Sequence, residues 1–278
     1  MSFLRSNFRF VNAGHSYQVS SFGPSNNQFT TFSPSSISGL TFWLDLSDSA
    51  YVTSSANFID GVGNKGTAGG SAFPNVVSAR PAFLQNYVNN NSVASFDGTN
   101  DILTSSINVS AIFNVAAADL ITTYTQCFVL KLNRITTSQF EPYGLDVVSA
   151  WGNASWGTNI GTVLAETQRI WHGFGSADAP KWVKTGAGVI SSGSVISLFN
   201  TYKTGSINMY VNGIFSNSVV PGYNATSVDQ TFRIGNEIFP SAGNPAKFDL
   251  CEFLLYTGSL SPTELTQIHT YLQSKWGI

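Results

Sequence analysis

The chain has 278 residues and a formal net charge of −2, with 10% charged and 13% aromatic residues. So neutral a balance excludes the basic stripe that nucleic-acid binding needs, and the aromatic share excludes a disordered chain. No apolar run approaches the ~18–20 residues of a membrane span, and the first ten residues lack the unbroken apolar stretch of a signal peptide.

Residues 1–38 stand apart from the rest. Phe3, Phe8, Phe10, Phe22, Phe29 and Phe32 are scattered among Ser, Asn and Pro, with Arg5 and Arg9 near the start and no acidic residue before Asp45. Neither helical nor strand periodicity is sustained there. An isolated arm of this kind cannot bury its own rings. The expectation is therefore an extended assembly arm that packs on its own domain or on a neighbouring subunit.

From Leu40 onward the chain reads as short strands rich in β-branched and aromatic residues and bounded by Gly, Asn, Ser or Pro. The candidates are Leu40–Leu46, Val93–Phe96, Ile102–Thr104, Thr125–Leu132, Val147–Trp151, Arg169–Gly173, Val195–Thr201, Ser206–Val211, Thr231–Ile234 and Asp249–Tyr256. Thr125–Leu132 alternates only in part, which predicts burial on both faces. Asn212-Gly213 between apolar runs predicts a tight hairpin, because both turn residues must accept positive φ. Asp97-Gly98 marks another turn. One helix is well specified, at the end: Ser261 as N-cap, Pro262 in the first position and Glu264 completing a capping box. Leu265, Ile268, Leu272 and Trp276 then form one apolar stripe, and Gly277 ends it. Short strands with a lone terminal helix predict an all-β, two-sheet antiparallel sandwich over residues 39–278. The two cysteines, Cys127 and Cys251, read as buried thiols, and no Cys or His lies close enough in sequence for an ordinary zinc site.

Several segments resemble the concanavalin A-like (laminin G-type) jelly-roll domains, in the versions found in virion proteins of tailed phages and large DNA viruses. They are Ser38-Gly39-Leu40-Thr41-Phe42-Trp43-Leu44-Asp45-Leu46-Ser47-Asp48, Ala79-Arg80-Pro81-Ala82-Phe83, Ser95-Phe96-Asp97-Gly98-Thr99-Asn100-Asp101-Ile102-Leu103, Tyr210-Val211-Asn212-Gly213, Phe232-Arg233-Ile234-Gly235 and the tail from Glu252 to Gly277. The likeness covers residues 38–278 and implies a jelly roll. It departs at the loop after the first strand, where related domains carry a Trp-x-Asp-Lys-Ser-Gly-like stretch and this chain has Gly61-Val62-Gly63-Asn64-Lys65-Gly66.

Glycosidases on this kind of sandwich use two carboxylates about 5–5.5 Å apart, in a pattern resembling Glu-x-Asp-x-x-Glu that the chain lacks. Asp249 and Glu252, three apart, are expected on opposite faces of a strand. His15, His172 and His269 have no Gly-x-Ser-x-Gly elbow to serve. The expectation is a protein that is not an enzyme. Asp97, Asn100 and Asp101 are the calcium candidates, since laminin G-type domains often bind calcium at a rim; the other reading is that they close their own turn. No other cofactor is expected. Trp151, Trp156, Trp171 and Trp182 are the glycan candidates, since aromatic faces suit sugar rings; the same rings also fill cores and interfaces. The resemblance implies a virion structural protein (a minor capsid, decoration or fibre-associated subunit). It would be a homo-oligomer or part of a larger assembly, tied to other virion or capsid proteins through the arm, with no nucleic-acid or membrane partner. The alternative is a lectin-like carbohydrate-binding module for surface attachment.

Overall fold

The computed structural model describes residues 32–117, 119–133, 145–149, 161–165, 169–173, 182–186, 188–221, 225–227, 229–235 and 247–278. They belong to one compact unit that begins at Phe32. In chain order the strands are β1 (Leu40–Asp45), β2 (Val52–Ser55), β3 (Phe58–Gly63), β4 (Ser71–Phe73), β5 (Ala82–Val88), β6 (Asn91–Asp97), β7 (Leu103–Asn108), β8 (Leu120–Ile121), β9 (Thr123–Leu132) and β10 (Leu145–Ser149). They continue with β11 (Gly161–Ala165), β12 (Arg169–Gly173), β13 (Trp182–Lys184), β14 (Val195–Lys203), β15 (Ser206–Val211), β16 (Ile214–Val219), β17 (Ala225–Thr226), β18 (Thr231–Ile234) and β19 (Lys247–Tyr256). A one-turn helix, α1 (Val109–Phe113), follows β7, and α2 (Pro262–Trp276) follows β19.

All the pairings are antiparallel, and they trace the two layers of a jelly-roll sandwich. In the back layer, β19 lies beside β9, which leads on through β14 and β15 to β16. On its other edge β19 meets β6 with its first residues and β1 with its last. The front layer runs from β2 through β3, β4, β7, β18, β10, β11 and β12 to β13. A corner contact, Phe58 opposite Ala82, joins the layers.

Between the layers sits the main core. Phe42 meets Phe232 edge-on at 4.8 Å, while Phe96 stacks on Phe248 at 4.6 Å and Phe128 on Phe253 at 4.8 Å. Each such buried ring contributes roughly 1.5–3 kcal/mol. β9 is buried on both faces, as its broken alternation predicts, because α2 covers its outer side. The α2 stripe of Ile268, Leu272 and Trp276 forms a second apolar cluster with Trp43, Val93, Phe199 and Leu254. Both sequence-predicted ends of α2 are present: Ser261 and Glu264 form the capping box, and Gly277 takes the left-handed conformation. Asn212 and Gly213 turn the β15–β16 hairpin at φ 50° and 75°. Cys127 and Cys251 are free and buried, and burial pushes both thiols well above their usual range.

A buried polar clamp fastens α2 to the sheet. The Glu252 carboxylate, 0% exposed, accepts from Trp43 Nε1 at 2.7 Å, Trp276 Nε1 at 2.7 Å, Tyr271 OH at 3.0 Å and Lys275 Nζ at 2.9 Å. Lys275 Nζ also reaches Asp45 Oδ1 at 2.6 Å, and Lys65 Nζ bridges Asp45 Oδ2 at 2.9 Å and Asp48 Oδ2 at 2.8 Å. Burial pushes the Glu252 carboxyl up, and the attraction of Lys275 does not cancel it. Burial works on Asp45 in the same sense, but there Lys275, Lys65 and Ser47 outweigh it and hold the carboxyl below its usual range. Lys65 thus has a defined partner in the loop where the sequence departs from the jelly-roll pattern.

One sequence expectation, the placing of Asp249 and Glu252, needs correction here, and the end of the arm can be located. Phe32, read as the last ring of the arm, packs edge-on against Tyr271 of α2 at 6.2 Å, and Tyr256 OH donates to the Pro34 carbonyl at 3.0 Å. Residues 32–38 therefore lie on the sandwich. Phe3, Phe8, Phe10, Phe22, Phe29, Arg5 and Arg9 lie outside the described residues. Asp249 and Glu252 share the outer face of β19, because a bulge between Leu250 and Glu252 shifts the alternation by one. Phe248 and Leu250 face the main core before the bulge, and Phe253 and Leu255 face it after.

Candidate functional site

A row of cross-strand neighbours runs over one end of the sandwich: Phe58 opposite Ala82, Ala82 opposite Ser95, and Ser95 opposite Asp249. Residues in register share a sheet face, so the row is set by pairing and not by sequence proximity. Beside it, a 3₁₀ turn at Val77–Ala79 and the loop after β6 rise to enclose a hollow of about 280 Å³. Phe58, Val77, Ser78, Arg80, Ala82, Ser95, Asp97, Asn100 and Asp101 line it.

The loop owes its shape to its own polar groups. Asp97 Oδ1 accepts from the backbone N–H of Thr99 at 2.6 Å and of Asn100 at 3.4 Å. Gly98 turns at φ 76°, and a Cβ there would stand 2.8 Å from the Cβ of Lys247. Asn100 Nδ2 donates to the Ser78 carbonyl at 2.8 Å and Ile102 N to the Ala79 carbonyl at 3.0 Å, so turn and loop brace each other. Asp101 Oδ2 accepts from Asp97 N at 2.8 Å. Burial pushes the Asp101 carboxyl up to about 6; the Asp97 N–H opposes the rise and the Asp97 charge adds to it.

The aromatic wall is Phe58, 41% exposed. The Arg80 guanidinium lies 5.1 Å from its ring centroid. Arg80 Nη1 donates to Asp60 Oδ1 at 2.8 Å and to Ser55 Oγ at 3.0 Å, and Nε to the Val77 carbonyl at 3.1 Å. Hydrogen bonds from Ser55 and Arg80 hold the Asp60 carboxyl below its usual range. An exposed ring beside hydroxyl, amide and carboxylate groups can stack one face of a sugar and hydrogen-bond its edge.

The candidates from sequence are distributed differently. Trp151 and Trp156 lie outside the described residues. Trp171 and Trp182 occupy positions on β12 and β13 that alternate with the buried Ile170, His172 and Val183. Asp97, Asn100 and Asp101 do come together, and the hydrogen bonds described for them are those of a braced turn. Asp97 closes its turn, the Asn100 amide holds Ser78, and Asp101 holds the Asp97 N–H. Among the described residues no group of three or more His, Cys, Asp or Glu could hold a metal ion. His172 Nε2 meets Tyr124 OH at 2.8 Å inside the core. His269 Nδ1 meets the buried Ser197 Oγ at 3.1 Å, with the Gly213 backbone against the far side of the ring, so this pair seats α2 on β14. Phe58, Ser78, Arg80 and Ser95 were missed in the sequence as site residues. What pointed to this end of the molecule was the turn signal at Asp97-Gly98 and the choice of Asp97, Asn100 and Asp101 as calcium candidates.

No family model matches the chain, and no curated protein matches it in sequence. Its fold does match solved structures. The binding domain of botulinum neurotoxin serotype D superposes with a TM-score of 0.58 at 11% identity, covering 84% of this chain and 51% of that one. The receptor-binding domain of botulinum neurotoxin type G gives 0.54 at 15%, covering 84% and 51%. The serotype D ligand-binding domain in complex with N-acetylneuraminic acid gives 0.58 at 11%, covering 86% and 52%. These neighbours support the sandwich and offer no support for a virion role. The chain spans about half the length of the toxin binding domains it resembles and shares with them the β-sandwich, jelly-roll-like fold.

Proposed function

We propose that this domain is a non-catalytic carbohydrate-binding module whose ligand seats in the hollow beside Phe58. The observation that carries the reading is the half-exposed Phe58 ring set against the hydrogen-bonding groups of Ser78, Ser95, Asp97 and Asn100 in one braced concavity. The toxin domains of the same fold add weight, one of them being in complex with N-acetylneuraminic acid. In this reading the sugar ring stacks on Phe58 and its hydroxyls bond the rim, and no bond is broken. A glycan array followed by solution titration tests it. Binding should be lost on Phe58→Ala and strongly weakened on Asn100→Ala, with the melting temperature little changed for Phe58→Ala. An array with no ligand, or a ligand whose affinity ignores both substitutions, refutes it.

A second reading, a virion structural subunit, draws on the sequence resemblance and on the phenylalanines before residue 32. The seating of Phe32 and Pro34 on the sandwich supports it, because a tether needs a fixed root. A variant lacking residues 1–31 should stay folded and fail to join an assembly; normal incorporation counts against a tether.

A further inference from the structure

We infer that the hollow selects neutral glycans and rejects those that end in a carboxylate or sulfate; this rests on the proposed carbohydrate reading. A carboxylate ligand is held best by a guanidinium that offers two parallel N–H groups from one edge. Arg80 is the guanidinium in the lining, and it has no such edge to offer. Its Nε–H is taken by the Val77 carbonyl, and both Nη1 protons by Asp60 and Ser55. What remains is Nη2, which suits one hydroxyl oxygen at a time.

The surrounding charges point the same way. Arg80 is matched by Asp60. Lys247 stands opposite Asp97 in the strand register. Lys131 stands opposite Asp249, with its Nζ at 2.9 Å from Tyr87 OH and over that ring. Of the charged groups in the lining, Arg80 is spent on Asp60, and Asp97 and Asp101 are left over. Asp249, fully buried and in register with the lining residue Ser95, keeps Oδ2 without a hydrogen-bond partner among the described residues. An anionic sugar entering here meets the Asp97 and Asp101 carboxylates, while Arg80, the cation among the described lining residues, is already paired with Asp60. Sugar hydroxyls, by contrast, can donate to Asp97 and Asp101 through the oxygens that the loop does not use.

The selectivity separates this site from a sialic-acid pocket. A like charge placed some 6–8 Å from Asp97 and Asp101 in a half-solvated hollow lowers affinity on the order of tenfold. The test uses matched pairs, a neutral oligosaccharide and the same core capped with N-acetylneuraminic acid, titrated at pH 7.5 against the full chain, Phe58→Ala and Asp101→Asn. The expected result is about tenfold tighter binding of the neutral member and a narrower gap in Asp101→Asn. If the capped member binds as tightly or more tightly while Phe58→Ala abolishes both, the hollow is a glycan site and the inference about its class is overturned. An unchanged gap in Asp101→Asn overturns the electrostatic basis. If neither member binds, or Phe58→Ala has no effect, the carbohydrate reading itself fails and takes this inference with it.

Discussion

Replacing Glu252 by glutamine should destabilise the domain by about 3 kcal/mol. The carboxylate serves four donors, two through each oxygen: Trp43 Nε1 and Tyr271 OH on one, Trp276 Nε1 and Lys275 Nζ on the other. A glutamine amide keeps one acceptor oxygen and turns the other into a donor. In its best orientation the new NH₂ donates to Tyr271 OH, which can reverse its role, and the Trp43 N–H is orphaned. One buried unsatisfied donor costs about 1–3 kcal/mol. Lys275 also loses an anionic partner but keeps Asp45 at 2.6 Å, so the total falls at the lower end of the roughly 3–5 kcal/mol seen when one member of a buried pair is removed. Urea unfolding at pH 7, read from the shift in midpoint at constant slope, measures this. Lys275→Met in the same background should be less than additive, with a coupling on the order of 1–2 kcal/mol. A loss below about 1 kcal/mol, or full additivity with Lys275→Met, would refute the view that Glu252 is the centre of the clamp.

Two further outcomes follow from the same physics. Asp101 titrates near 6 in the folded chain against a reference of 3.8, so between those values the native state holds more protons than the unfolded one. Stability therefore falls as pH rises from about 4 to 6 and levels off above. Asp101→Asn should remove that slope and raise stability at pH 7 by about 1–2 kcal/mol, below the full conversion of the shift because the hollow is open to water. Melting temperatures from pH 4 to 7.5 would show it, and an unaltered slope counts against burial as the cause. Gly213→Ala places a Cβ at φ 75° and 2.5 Å from His269 Cδ2, which should cost at least about 1–2 kcal/mol in thermal or urea unfolding. A neutral result would mean that α2 is not pressed against that hairpin.

The strands legible in the sequence are the ones with a core to face. Arg169–Gly173, Ser206–Val211 and Thr231–Ile234 match their observed bounds. β2 was invisible because Val52–Ser55 is exposed along most of its length and built of Thr and Ser. β5 was invisible too, with Gln85, Asn86 and Tyr87 exposed in its middle and Asn86 at positive φ. The two-residue rule failed at β19 because one extra residue in a bulge leaves no mark in composition. The hollow was hidden for a different reason. Phe58, Ala82 and Ser95 are brought side by side by pairing register, and nothing local in the sequence announces such a row. The clamp is equally non-local: Lys65 and Lys275 converge on Asp45 from opposite ends of the domain. Capping chemistry, by contrast, is written within a few residues, and so both ends of α2 could be read directly.

The double partnership of β19 bears on how the domain is made. The strand fills the middle of the back layer, between β9 on one edge and both β6 and β1 on the other. All three of those partners leave the ribosome earlier. A nascent chain that has reached residue 246 carries a sheet with its central slot vacant, so the layer closes only after translation has passed Tyr256. Until then the apolar edges of β1, β6 and β9 are exposed to one another and to other chains. Arrest of synthesis shortly before that point should leave the nascent domain far more open to proteolysis than the released 278-residue chain.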